Sequence, residues 1–211
     1  TLAKQGKATK AWFNGFPYGH PDPTLASVVF NTQNEYLKNP DVRWALALMV
    51  DVKGVMMAAY RGAATISAIA VPPTGVHPEA YHKPMEDWVK NFEIDTGKSK
   101  IKPYDPTVGK QLADLLRPSV GDAIPTDPKV IANSFGLGWW KSDIKAAGEL
   151  LERAGYKKQG NQWMTPEGKP FVIRLMVEGD LRPVMTRAGS MIVQQWKQAG
   201  KDHRDRHRLG T

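Results

Sequence analysis

The sequence predicts an α/β fold, and three observations carry that reading. Ile144, Ala147, Leu150, Leu151 and Ala154 recur at helical spacing, which lays one apolar stripe along a helix. Phe171, Ile173, Leu175 and Val177 alternate with other residues, the period of a strand with one covered face. Pro183 then opens a second helix-period segment running to about Gln198, with Met185, Ala188, Ile192 and Trp196 on its inner face.

From the start of the chain, Ala8 to Tyr18 reads as an aromatic-rich strand. His20-Pro21-Asp22-Pro23 ends it, because two prolines cannot continue a ladder. Residues 25–31 read as a second strand, with Val28-Val29-Phe30 as a continuous apolar run of the kind covered on both faces. Asn39-Pro40-Asp41 places an N-cap, a proline at the first helical position and an acid in the first turn, so a helix follows through Met49. Asp51 caps another, which Arg61-Gly62 closes.

Residues 63–75 read as irregular, 81–92 as a short helix, and 98–105 as a loop. A helix over 110–117 is expected to stop at Pro118. Residues 93–135 are therefore the least regular stretch by this reading. Ser142 or Asp143 caps the striped helix, Gly155 ends it, and Gly160 to Gly168 is a turn region around Trp163.

The 211 residues include no Cys, which excludes disulfides, thiolate metal sites and a thiol nucleophile. No apolar run reaches the roughly 18 residues of a membrane span. The formal charge of +8 raises the case for a nucleic-acid or anionic-surface partner. However, outside the tail the cations are dispersed and not interleaved with aromatics, so no nucleic-acid partner is expected. Thr1-Leu2-Ala3-Lys4 carries no apolar leader, and the chain reads as starting at a cut edge.

Several segments, in order, resemble the family 5 solute-binding proteins of ABC importers. They are Val29-Phe30-Asn31-Thr32-Gln33; Asn39-Pro40-Asp41-Val42-Arg43-Trp44-Ala45-Leu46; Tyr60-Arg61-Gly62; Ala146 to Tyr156; Trp163 to Pro170; and Gln194 to Gly200. The resemblance implies an incomplete periplasmic-binding-protein-like lobe of type II, a mixed sheet with flanking helices. Residues 1–31 would form an inter-lobe segment contributing strands, 32–200 the second lobe, and 201–211 a basic tail foreign to the family. It further implies capture of a short peptide or similar small solute between two lobes, delivery to an ABC permease, a periplasmic or extracytoplasmic setting, no cofactor and no catalysis. Residues 76–142 follow the family only loosely, as a longer insertion would.

The tail from Lys201 to Arg208 has four cations and two acids where an alternating strand is expected. Read one base on, codons for His203 to Gly210 are able to encode Ile-Glu-Ile-Asp-Ile-Ala-Ser, a period-2 strand. The sequence thus predicts a one-base change of frame near codon 203.

No catalytic constellation is found: there is no nucleophile elbow, no phosphate loop and no dinucleotide fingerprint. His20, His77 and His82 read as solvated loop residues without metal-ligand spacing. Trp12, Phe16 and Tyr18 are the candidate ligand-binding residues, because rings give a solute cleft large rigid contact area. The pair Trp139-Trp140 reads as packing. A lobe with uncovered strand edges is also expected to self-associate.

Overall fold

The computed structural model describes residues 26–177 and 183–200. Helix α1 (Pro40–Leu48) starts as its sequence dictates, with the Asn39 side chain accepting from the Asp41 amide at 2.9 Å. Helix α2 (Val52–Tyr60) is capped by Asp51, and Arg61 in the left-handed region closes it. A π-helical turn (Pro78–His82) leads into α3 (Lys83–Asn91). Next come β1 (Ile94–Asp95), β2 (Lys100–Ile101), β3 (Tyr104–Asp105), α4 (Val108–Val120), α5 (Pro128–Phe135) and β4 (Trp139–Trp140). The chain continues through α6 (Ile144–Arg153), β5 (Lys157–Gln159) and β6 (Gln162–Met164) to α7 (Pro183–Ala199).

Two apolar cores organise these elements. In the first, Val42, Ala45, Leu46 and Leu48 of α1 meet Ala147, Leu150 and Leu151 of α6, with Ile94, Tyr156 and Ala199 around them. In the second, Leu112, Ala113 and Leu116 of α4 meet Ile131 and Phe135 of α5, with Val52 and Ile66 closing the cluster. The turn between α1 and α2 joins the two. Asp143 at the head of α6 donates its amide to the Leu48 carbonyl at 2.8 Å, so α6 starts where α1 stops. Trp196 of α7 donates its indole N–H to the Leu46 carbonyl at 2.9 Å. Arg153 grips Asp41 through two guanidinium nitrogens, tying the end of α6 to the start of α1.

The expected mixed sheet is not what the described residues form. They hold three separate antiparallel pairs, β1–β2, β3–β4 and β5–β6. Residues 26–31 are not a strand, and Val29 is 85% exposed. Phe171 to Val177 keeps the anticipated alternation, with Phe171, Ile173 and Leu175 turned inward and Val172, Arg174 and Met176 outward, while Val177 is exposed. It nevertheless lacks a ladder. Side-chain periodicity sets which face is covered, whereas a strand also needs a neighbour for its amides and carbonyls; of Phe171–Val177, Phe171 alone is paired among the described residues, its amide donating to the Trp163 carbonyl at 2.8 Å.

Other departures have local causes. Pro118 lies inside the last turn of α4 and does not end it; Gly121, at φ 73°, does. Residues 93–135 are more regular than expected, since Asp127-Pro128 repeats the Asn39-Pro40 device and starts α5. The 98–105 loop contains β2 and β3, and the turn region around Trp163 belongs to the β5–β6 hairpin. Gly136, at φ 103°, pairs with Ile66; a Cβ there would stand 2.1 Å from the Ile66 carbonyl oxygen, so only glycine fits.

Candidate functional site

A cleft of about 400 Å³ opens where the α1–α2 turn meets the β3–β4 pair. Asp51, the cap of α2, and Lys53 within it stand on one side, and Asp105, Trp140, Lys141 and Ser142 on the other. The β3–β4 register, Tyr104 opposite Trp140 and Asp105 opposite Trp139, brings chemistry from two distant stretches of chain to one rim.

The polar groups are held in place. Asp105 Oδ1 accepts from the Thr107 amide at 2.8 Å and from its hydroxyl at 2.6 Å, while Oδ2 accepts from Gln111 Nε2 at 3.1 Å. Gln111 Oε1 accepts from Lys53 Nζ at 2.6 Å, so one amide links the carboxylate of one wall to the ammonium of the other. Burial works to raise the Asp105 pKa, but these bonds, with Lys141 nearby, outweigh it and hold the carboxyl below its ordinary value. Lys141 donates its ammonium to the Lys102 carbonyl at 2.9 Å and its amide to the Pro103 carbonyl at 2.7 Å.

Trp140 continues from the cleft into a chain of rings. It stands edge-on to Trp44 at 5.1 Å, Trp44 stacks on Phe92 at 5.4 Å, and Phe92 meets Trp88 at 5.1 Å. This chain fixes the Trp140 ring as one wall of the cleft. The cleft thus sets two carboxylates and two ammonium groups around an indole.

Elsewhere, the loop from Ile69 to Pro73 is pinned through its carbonyls. Ser67 Oγ lies 2.7 Å from the Ile69 oxygen, His82 Nε2 3.0 Å from that of Val71, and His77 Nδ1 3.0 Å from that of Pro72. The solvated reading of these histidines is corrected: His82 is buried, His77 is half-buried, and both hold backbone. His20 lies outside the described residues. Burial pushes the His82 pKa below its ordinary value.

Trp12, Phe16 and Tyr18 also lie outside the described residues. The structure brings together Lys53, Asp105, Trp140 and Lys141, which sequence reasoning passed over. Trp139 does pack on the second core, as read, but Trp140 is both packing and wall. The available signal was Tyr104-Asp105 and Trp139-Trp140, two short runs each placed just before a helix.

Comparison with known proteins agrees with the resemblance. Residues 2–202 match the model described as bacterial extracellular solute-binding proteins, family 5 Middle. Heme-binding protein A of Haemophilus influenzae is 30% identical over 149 residues, covering 65% of this chain. The chain spans 24% of that relative's length.

Proposed function

Because the chain belongs to the family 5 bacterial extracellular solute-binding proteins, we propose that it supplies one wall of the solute site in the substrate-binding component of an ABC-type importer. The family match over residues 2–202 carries this reading. The protein is a type II lobe, works in the periplasm or another extracytoplasmic space, binds without catalysis, and passes its solute to a permease. Hinge closure is the mechanism: a solute that touches both lobes stabilises the closed state by contacts the open state lacks.

The solute class is a short peptide. Lys53 and Lys141 match its carboxylate, Asp51 and Asp105 its ammonium, and Trp140 its apolar side chains. Trp12, Phe16 and Tyr18 remain the candidate aromatic contacts to the solute from the inter-lobe segment. The name of the Haemophilus relative makes hemin the second probe.

Nitrogen-resolved NMR of this chain, titrated with tetra-alanine and separately with hemin, tests the site. Tetra-alanine is expected to move the Trp140 indole and the amides of Lys53 and Lys141, saturating only at millimolar concentration because one wall acts alone. Shifts elsewhere, or none, overturn the assignment of this cleft. A saturable response to hemin alone overturns the peptide class but keeps the wall.

A second reading rests on the Phe171–Val177 segment. From Val172 to Val177 the backbone makes no hydrogen bond among the described residues, and with the 94% exposed Met176 this leaves an edge that a second copy of the chain is able to cover. On this reading the isolated chain is a self-associating lobe.

A further inference from the structure

Gln111 of α4 stands between the two walls of the candidate solute cleft, and its neighbours fix which way its amide points. Asp105 Oδ1 takes the Thr107 hydroxyl proton at 2.6 Å, so Thr107 Oγ1 has only lone pairs left and accepts from Gln111 Nε2 at 2.7 Å. The second Nε2 proton goes to Asp105 Oδ2 at 3.1 Å. Both amide protons are used on the Asp105 side, which leaves Oε1 to face Lys53 Nζ at 2.6 Å.

The two charges joined by this amide are served unequally. Asp105 accepts from the Thr107 amide, the Thr107 hydroxyl and Gln111, and the Lys141 charge acts on it as well. The Lys53 ammonium bonds to an uncharged oxygen and pairs with no carboxylate among the described residues. An ammonium has three protons, so two remain for another acceptor. Lys53, Gln111 and Asp105 are all half-buried, where water screens charge less than at the open surface. Asp105 stands one amide away from Lys53, and a direct pair between them would neutralise the ammonium inside the protein.

From this arrangement we infer that Gln111 is a positioning residue of the solute site: it holds the Lys53 ammonium apart from Asp105 and so keeps that charge for a solute carboxylate. The solute class this selects is a peptide with a free C-terminal carboxylate, over the same peptide with an amidated end. The inference rests on the reading of this cleft as one wall of a solute site.

Tetra-alanine and tetra-alanine amide are the probes, and the Trp140 indole and the Lys53 and Lys141 amide signals of the full chain are the readout. Both peptides carry the same ammonium end, so the ratio of their dissociation constants reports the carboxylate alone. The parent chain is expected to bind the free acid at least about threefold more tightly. Gln111→Met, or Gln111→Leu if that variant does not fold, is expected to abolish the preference, because Lys53 turns to Asp105. Adding Asp105→Asn to the Gln111 variant removes the carboxylate that Lys53 turns to and is expected to restore the preference. A purely structural role for Gln111 would weaken both peptides together and would not be rescued in this way. A Gln111 variant that keeps the parent's ratio, or a double variant that does not regain it, overturns the inference. Equal binding of the two peptides by the parent overturns it too and leaves the cleft in place; no shift at these signals in the parent overturns the cleft and this inference with it.

Discussion

Gln195 and Asp51 exchange two hydrogen bonds across 144 residues of sequence: the Asp51 amide donates to Gln195 Oε1 at 2.9 Å, and Gln195 Nε2 donates to the Asp51 carbonyl at 3.2 Å. One side-chain amide thus completes the backbone at the turn between α1 and α2, as a neighbouring strand would. Gly54 leaves it room, since a Cβ there would stand 3.3 Å from Nε2. The same turn carries Asp51 and Lys53 into the candidate solute cleft, so α7 braces that wall from behind. Replacing Gln195 by Leu leaves the Asp51 amide unpaired, while the carbonyl keeps its bond from the Val55 amide, and is expected to cost about 1–3 kcal/mol. Urea unfolding checks this, and a midpoint equal to that of the parent chain contradicts it.

His82 makes stability depend on pH. Its folded pKa lies below the ordinary 6.5 because burial disfavours the charged ring. The unfolded chain therefore binds the proton more readily, and stability rises with pH. The contribution is complete above 6.5, is lost as pH falls from there toward the lower folded value, and changes no further below it. His82→Gln removes this term while keeping a donor for the Val71 carbonyl. The difference in unfolding free energy between parent and variant is expected to vary between pH 7 and pH 5; a constant difference contradicts the assignment.

Glu149 acts with the same sign in a lower pH range. Hydrogen bonds from Thr96, then from Ser99, hold its carboxyl below the ordinary 4.5. Stability from this group is present above 4.5 and is lost as pH falls through the folded value. Hydrogen exchange at the β1–β2 hairpin reports it. Glu149→Gln is expected to speed exchange of the Thr96 and Ser99 amides at pH 7 and to reduce the acid dependence of their protection.

The Phe171–Val177 edge predicts association that grows with concentration. Light scattering is expected to give a mass above the 23.4 kDa of one chain. Ile173→Pro removes a ladder donor, and Met176→Lys places a charge on the outward face; each is expected to shift the population toward monomer. A parent chain that is monomeric at all concentrations contradicts this reading.

What the sequence made legible was local. The caps at Asn39, Asp51 and Asp143 act through side chains two or three residues from the amides they satisfy, so α1, α2 and α6 follow from neighbouring residues. The stripe of α6 and the alternation from Phe171 to Leu175 also hold, because burial follows periodicity. Pairing was not legible. Tyr104 finds Trp140 and Asp51 finds Gln195 over long separations, and only tertiary packing supplies those partners. The site shows the same division: Trp140 stood out as an aromatic, but its cleft exists only once β3 and β4 are paired.

Titration calorimetry of this chain with a mixture of di- to pentapeptides tests most directly whether it is one wall of a two-walled receptor. With half of the contacts available, heats are expected to fit only millimolar dissociation constants. Micromolar binding by the chain alone would contradict the account.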